Sequence, residues 1–157
     1  MRIIGVDPGL RKTGWGIIEF KNNKLNYVAD DTISPSIKVS DGERLLFIKH
    51  ELTKIVSKFV PNKSAIEQIF VGYGAGSSLK LGMARGVSMS VLAEAGLNIN
   101  EIAPKLVKKT ITGYGSASKQ QIISMIKKLL NIIPKSEDSA DALAIAISSH
   151  YLSNNII

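Results

Sequence analysis

Residues 2–7 (RIIGVD) are an apolar run that ends in a carboxylate, and a Pro-Gly turn at 8–9 follows directly. This pattern predicts a buried β-strand. Because side chains alternate along a strand, Ile3, Gly5 and Asp7 share one of its faces. Ligands of open α/β sheets bind beyond the carboxyl ends of the strands, which makes Asp7 a candidate site residue. A turn-forming role for this aspartate explains its position equally well.

The remainder of the chain alternates between strand-like and helix-like patterns. After the first strand, strands are predicted over 13–20, 25–32, 64–68 and 98–103, and helices over 41–59, 77–95, 104–110, 118–131 and 137–152. Capping boxes at Ser40 and Ser118 mark the starts of two helices. Three early strands followed by alternating helices and strands indicate an α/β fold, with a mixed sheet covered by helices.

Length, charge and cysteine content limit the class of protein. A chain of 157 residues fits one domain, which we predict to span 1–157. The net charge is +7, and 16 of the 20 basic residues are lysines, which favours a polyanionic partner contacted at its phosphates. The absence of cysteine excludes disulfides and Cys-ligated metal centres. With no signal peptide and no apolar run near the ~18 residues of a membrane span, we expect a cytoplasmic protein without a membrane partner.

Three further carboxylates stand in unusual positions. Glu67 lies in the apolar segment 64–70, where a buried carboxylate would need a cation, a metal or a proton. An exposed place on an edge strand is the alternative. Asp138 and Asp141 are three residues apart at the start of the last predicted helix, so both lie on one of its faces. Stabilisation of the helix dipole by acidic residues in the first turn also explains this pair.

Together, the four acids indicate a metal site within a basic surface. The chain has 13 acidic residues, and when these four are excluded, nine acidic residues remain against 20 basic ones. An acidic pocket in such a surface is expected where divalent cations serve a phosphate chain. Oxygen-only ligands suit magnesium or manganese. Two such ions, roughly 4 Å apart, can stabilise both the attacking and the leaving oxygen of a phosphoryl displacement.

The chain resembles the RuvC family, the bacterial Holliday junction resolvases, over essentially its whole length. The segments that carry the resemblance follow in matching order: 4–9 (IGVDPG), 13–16 (TGWG), 65–70 (AIEQIF), 79–86 (LKLGMARG), 103–108 (APKLVK), 113–119 (GYGSASK) and 140–146 (ADALAIA). The loop at 72–76 departs from the family pattern, because glycines stand where an asparagine and an acidic residue are expected.

The resemblance implies an RNase H-like fold, with a five-stranded mixed sheet flanked by helices on both faces. It implies a magnesium-dependent endonuclease, with manganese as a substitute and one or two ions per subunit. This enzyme would be a homodimer that nicks two strands of a four-way DNA junction symmetrically, in recombination and repair, together with the RuvA–RuvB branch-migration complex. By motif position, Asp7, Glu67, Asp138 and Asp141 take the roles of the catalytic, metal-binding carboxylates.

The same motifs supply candidate DNA contacts. Lys108 and Lys119 match lysines that the family uses near the scissile phosphate, where they would stabilise charge. Phe70 and Tyr73 are candidates for stacking on an unpaired base, although Phe70 could equally continue the strand into the core. Lys80 and Arg85 are further candidates for contacts with DNA.

A stripe of small residues marks the predicted helix at 77–95. Gly82, Gly86 and Ser90 are spaced four residues apart and therefore share one face. Glycine is costly inside a helix, so this face should have a packing reason. We predict that it contributes to a dimer interface, with close packing on the chain's own sheet as the alternative.

Three alternative functions follow from the same residues. The opening motif also resembles the phosphate loop of actin-like ATPases, but those proteins need two such domains. An RNase H-like nuclease acting on RNA is a closer alternative, against which the segments at 79–86 and 113–119 argue. A junction-binding protein that has lost catalysis is the non-enzymatic alternative, and the presence of all four carboxylates argues against it.

Overall fold

The computed structural model of the protein describes residues 1–69 and 75–154. Within these ranges the chain forms five strands and five helices, in the predicted order. The strands are β1 Arg2–Asp7, β2 Thr13–Lys21, β3 Lys24–Ile33, β4 Lys63–Glu67 and β5 Ile99–Ile102. The helices are α1 Asp41–Phe59, α2 Ala75–Glu94, α3 Pro104–Thr112, α4 Lys119–Leu130 and α5 Glu137–Asn154. The predicted boundaries differ from these by at most two residues.

The strands form one mixed sheet in the order β3-β2-β1-β4-β5. The predicted hairpin is confirmed, since β2 pairs antiparallel with both β1 and β3. Crossovers through α1 and α2 make β4 parallel to β1 and β5 parallel to β4. The central pair therefore runs in one direction, and β1 and β4 end side by side at the same edge of the sheet.

Helices cover both faces of the sheet and bury a core on each. The predicted alternation along β1 is confirmed, because Ile3 lies in a core cluster with residues of α3, α4 and α5. Ile4 and Val6 lie in the opposite cluster, with residues of α1 and α2. Asp7 follows the alternation of Ile3 and Gly5, so it faces the side of the sheet on which α5 packs.

Three glycines in the first two strands let α5 lie directly on the sheet. A Cβ atom built on Gly5 would overlap the main chain of Ala142, and one built on Gly14 would overlap the main chain of Asp138. On Gly16, a Cβ atom would lie 2.6 Å from Cγ of Leu143. Real Cβ atoms essentially never approach other atoms this closely. The depth at which α5 packs is therefore set by the absence of side chains at these positions.

Helix ends follow the predicted capping signals. Ser40 and Ser118 both form complete capping boxes, at the starts of α1 and α4. At their C-terminal ends, both helices close with a left-handed residue, Val60 after α1 and Asn131 after α4. Asparagine tolerates this conformation, whereas a β-branched residue is strained in it.

Replacing Val60 with asparagine is expected to stabilise the protein. Its φ angle is 46° and its side chain is 68% exposed, so the change relieves strain while exposing little apolar surface. We expect a gain of about 1 kcal/mol in the free energy of unfolding, or about 2–4 °C in melting temperature. The reciprocal change, Asn131→Val, should lower the melting temperature by a similar amount. Thermal unfolding followed by circular dichroism measures both, and a lower melting temperature for Val60→Asn would contradict the prediction.

In the part of the chain that the structure describes, none of the helices has the length and apolar character needed to cross a membrane.

Candidate active site

The structure brings the four predicted carboxylates to one edge of the sheet. Asp7 is the last residue of β1, and Glu67 is the last residue of β4. These strands are parallel neighbours, and the residues just before the two acids, Val6 and Ile66, are paired with each other. Asp138 and Asp141 lie on the first turns of α5, which packs on the same face of the sheet. The main chain of Asp138 rests on Gly14, the β2 residue that is paired with Asp7.

Asp7 lies at the centre of this cluster. Burial, followed by the negative charges of Asp141, Glu67 and Asp138, raises the pKa of its carboxyl group to about 7. Lys119 opposes these effects but does not cancel them. The fold therefore concentrates more negative charge around Asp7 than its own cations neutralise, as is typical of a functional carboxylate cluster.

Two lysines provide the positive charge of the cluster. Burial, followed by the charge of Asp141, raises the pKa of Glu67, while Lys108 lowers it. Burial also raises the pKa of Asp141, against the effect of Lys119. Nζ of Lys119 lies 3.1 Å from Oδ2 of Asp141 and 3.4 Å from Oε2 of Glu137. Although burial acts to lower the pKa of Lys119, these ion pairs raise it, so the lysine stays charged.

Two clefts meet at Asp7. The first has a volume of about 240 Å³, and its polar lining comprises Asp7, Glu67, Lys108, Lys119 and Asp141. The second, of about 1170 Å³, runs from Asp7 and Asp138 along the β1–β2 turn toward α1 and α2. Asp7 thus belongs to the lining of both the narrow cleft and the wider one.

The donor atoms of the cluster suit a hard divalent cation. Carboxylate oxygens are the ligands that magnesium and manganese prefer. Among the described residues, no group of three or more acidic, histidine or cysteine side chains is arranged to hold an ion by itself. Hard divalent cations can bind proteins through one or two carboxylates and take their other ligands from water and substrate phosphates. The uncompensated charge at Asp7 also fits such an ion, which would supply the missing positive charge.

A buried aspartate that the sequence analysis did not single out holds the start of α5. Oδ2 of Asp30, in β3, accepts hydrogen bonds from Oγ of Ser139 at 2.5 Å and from the main-chain N–H of Lys135 at 2.9 Å. Its Oδ1 accepts one from the Tyr27 hydroxyl at 2.7 Å. A negative charge at this end also stabilises the helix dipole. The signal in the sequence is a carboxylate inside an otherwise strand-like segment, the same signal that identified Glu67.

Comparison with known proteins decides the family. The family model described as crossover junction endodeoxyribonuclease RuvC matches residues 3–150. The chain belongs to the RuvC family. The RuvC of Rhodopseudomonas palustris (strain BisA53) is 49% identical over 149 residues, covering 94% of this chain and 86% of the relative. The RuvC of Ruegeria pomeroyi is 47% identical over 152 residues, covering 96% of this chain and 92% of the relative.

Solved structures show the same fold. Thermus thermophilus RuvC in complex with a Holliday junction substrate superposes with a TM-score of 0.90 at 27% identity, covering 98% of this chain and 94% of the other. The fowlpox virus Holliday junction resolvase superposes with a TM-score of 0.60 at 13% identity, covering 98% of this chain and 99% of the other, which indicates a shared fold alone. The predicted fold, a five-stranded mixed sheet of RNase H-like type with helices on both faces, is confirmed.

The predicted DNA contacts of this RuvC-family chain occupy different environments. Lys108 and Lys119 line the narrow cleft, and Lys80 lines the wide one. Arg85 is engaged within the protein, because its Nε donates to the main-chain oxygen of Glu67 at 3.1 Å and its Nη2 pairs with Glu101. These bonds fix the end of β4, which carries Glu67. Phe70 and Tyr73 lie outside the described residues, so their contacts with DNA stay predictions.

The stripe of small residues lies on an outward side of α2. Gly86 and Ser90 are exposed and Gly82 is partly buried. Among the described residues outside the helix's own backbone, a Cβ atom built on Gly86 would have no heavy atom within 4 Å, and one built on Gly82 would touch only Cδ1 of Ile69, at 4.0 Å. Tight packing against the chain's own sheet therefore does not account for these glycines.

The carboxylate cluster predicts a distinctive dependence of stability on pH. In the absence of metal, the folded pKa of Asp7, about 7, exceeds its ordinary value of 3.8. The contribution of Asp7 to the free energy of unfolding is then fully present below about pH 4 and is lost as the pH rises through 7. In EDTA, Asp7→Asn should match the original protein at pH 4 and exceed its free energy of unfolding by roughly 2–4 kcal/mol at pH 8. Denaturant unfolding at both pH values measures the difference, and an equal difference at both would contradict the cluster's electrostatics.

Proposed function

We propose that this protein resolves four-way DNA junctions by metal-dependent nicking of two strands, as a nuclease of recombination and repair. The observation that carries the proposal is the convergence of Asp7, Glu67, Asp138 and Asp141, with Lys108 and Lys119, at one edge of an RNase H-like sheet. Membership of the RuvC family supports DNA junctions as the substrate. The Thermus thermophilus relative, which shares this fold, forms a complex with a Holliday junction substrate.

We propose magnesium as the cofactor, with manganese as a substitute and one or two ions per subunit. Asp7, Glu67, Asp138 and Asp141 would hold the metal, directly or through water. An ion held there would supply positive charge to the scissile phosphate and would favour deprotonation of the attacking water. The carboxylates repel a bare phosphate, so their charge favours cutting only when a cation accompanies the DNA.

The two cleft lysines act on the phosphate itself. Nζ of Lys119 is held 3.1 Å from Asp141, at the wall of the cleft, so its charge is positioned before substrate arrives. Lys108 lies close enough to Glu67 to lower its pKa. Both ammonium groups can donate hydrogen bonds to phosphate oxygens, where negative charge increases as the fifth bond to phosphorus forms.

The experiment that tests the function uses a mobile four-way junction and a linear duplex of the same sequence. Paired symmetric nicks in the junction alone, in magnesium but not in EDTA, are the expected result. Junction binding without cutting in either magnesium or manganese would favour the non-catalytic alternative. Preferential cutting of an RNA–DNA hybrid would favour the RNA nuclease. Mapping of the products on a denaturing gel distinguishes the three outcomes.

We propose that the protein acts as a homodimer in the cytoplasm, as one domain over 1–157, with the RuvA–RuvB complex as its partner. Symmetric nicking of two strands needs two active sites. The exposed side of α2 supports an interface there, since Leu79 is 64% and Met83 is 41% exposed beside Gly86. Small residues on one face of a helix allow close approach of a second helix.

Replacement of Gly86 with glutamate is expected to convert the dimer into a monomer. Its Cβ position is open, so the side chain does not disturb the protomer, and glutamate favours a helix by about 0.5–1 kcal/mol over glycine. The protomer of the variant should therefore stay folded. Sedimentation equilibrium should show the loss of the dimer. Gly76→Glu, another open glycine position of the same helix, is the matched control. An original protein that sediments as a monomer at micromolar concentration would contradict the interface.

A further inference from the structure

Arg44 is a buried arginine with an unsatisfied edge. It lies on the first turn of α1 and is 8% exposed, and it lines the wide cleft together with Asp7 and Lys80. Among the described residues, its one side-chain hydrogen bond joins Nη1 to Oδ1 of Asp41 at 3.4 Å, at the long limit for such a bond. Nε and Nη2 are buried and have no hydrogen-bond partner among the described residues.

Such an arrangement is costly unless a ligand completes it. A buried guanidinium loses the hydration of its N–H groups, and native proteins almost always replace those bonds. Arg44 shares this carboxylate with Lys80, because Oδ2 of Asp41 lies 3.4 Å from Nζ of Lys80. Arg44 and Lys80 therefore share the charge of Asp41, and Nε and Nη2 of Arg44 are left without a hydrogen-bond acceptor among the described residues.

The two unpaired N–H donors of Arg44 indicate which kind of ligand would bind there. Nε and Nη2 lie on the same side of the guanidinium and form the two-donor fork that binds a phosphate or carboxylate through two oxygens. Arg11 and Lys12 add positive charge to the same cleft. Its volume of about 1170 Å³ exceeds the roughly 300–1,000 Å³ of small-molecule sites, so an extended polyanion fits it better than a free metabolite.

We propose that Arg44 binds a backbone phosphate of the DNA strand that is cut, beside the scissile phosphate at Asp7. This inference rests on the proposed function and adds to it a second phosphate site in the wide cleft. The cleft is continuous from Arg44 to Asp7 and Asp138, so one strand can occupy both sites. Phosphate binding at Arg44 would fix the position of that strand relative to the carboxylates.

The test compares Arg44→Met with Lys54→Met in junction binding. Both variants lose one positive charge from α1, but Lys54 lies ten residues further along, paired with Glu51 at the helix surface. With binding measured in EDTA over a series of salt concentrations, we expect Arg44→Met to bind about tenfold more weakly and to lower the slope of log K against log salt by about 1. Lys54→Met should keep the original slope. Arg44→Met should melt no lower than the original protein, because it removes unsatisfied donors from a buried site.

Each other outcome bears on the proposal. An unchanged slope in Arg44→Met would overturn it, as would loss of the folded state in both Arg44→Met and Arg44→Gln, which would make Arg44 a structural residue. A melting temperature that inorganic phosphate raises in the original protein but not in Arg44→Met, with the slopes equal, would assign the site to a free anion and also overturn the proposal. Failure of the original protein to bind the junction would instead refute the proposed function.

Discussion

Asp7→Asn is expected to abolish junction cutting while leaving junction binding equal or tighter. Asp7 lies where the two clefts meet, so its loss removes a charge that either a bound metal or the strand must contact. We expect the rate of nicking in magnesium to fall by about 10³-fold, the upper end of the cost of removing one electrostatic contact from a preorganised site. Single-turnover cutting of a labelled junction measures the rate, and electrophoretic mobility shift in EDTA measures binding.

The fold should survive this change, which makes the experiment decisive. Because the pKa of Asp7 is about 7, the metal-free protein already accommodates an uncharged side chain at this position near neutral pH. Asparagine has nearly the same shape. Binding should not weaken, since the substitution removes a negative charge from a site that receives phosphate.

Glu137→Gln is the matched control for Asp7→Asn. It also removes one negative charge near Lys119, but its side chain is 59% exposed and Lys119 keeps its closer partner, Asp141. An exposed ion pair contributes little, so the rate of cutting should change by less than about fivefold. Equal losses of cutting in the two variants would contradict a special role for Asp7. Loss of both cutting and binding in Asp7→Asn would point to misfolding.

Much of the fold could be predicted because its signals are local. The run at 2–7, the hairpin at 21–24 and the capping boxes at Ser40 and Ser118 each depend on neighbouring residues alone, and all are confirmed. The four carboxylates were predicted for a related reason. A charged residue within an apolar strand, or a pair three residues apart on a helix, departs from a local pattern and so stands out in the sequence.

The support of the site could not be predicted, because it depends on long-range packing. Asp30 holds Ser139 across 109 positions of the chain, and nothing local indicates that contact. Arg85 was predicted to contact DNA from its motif, but its bonds to Glu67 and Glu101 depend on how α2 crosses β4 and β5. The unsatisfied edge of Arg44 likewise depends on how residues distant in the sequence pack around it, and no local pattern indicates it. Sequence therefore identifies groups that break a local rule, while structure identifies the residues that hold them in place.

Gly14→Ala is expected to cause a large loss of stability, although it adds only one methyl group near the site. The added Cβ atom would overlap main-chain atoms of Asp138, which cannot rotate away as a side chain can. Either α5 lifts off the sheet or β2 moves away from β1, and both elements carry core residues. We expect the free energy of unfolding to fall by about 3 kcal/mol, at the upper end of the usual cost of overpacking. Urea denaturation measures this change.

The same substitution should also reduce catalysis in the molecules that remain folded. Gly14 is paired with Asp7 and supports Asp138, so a displacement of α5 separates the two carboxylates that face the wide cleft. A misplacement of about 1 Å can cost about 100-fold in rate, so cutting should fall by that order under conditions where the protein is fully folded. Gly42→Ala is the control, because in the described part of the chain its Cβ atom would meet only Oγ of Ser40, at 4.0 Å, and alanine favours the helix. If Gly14→Ala were as stable and as active as Gly42→Ala, close packing of α5 on the glycines would not be what positions the site.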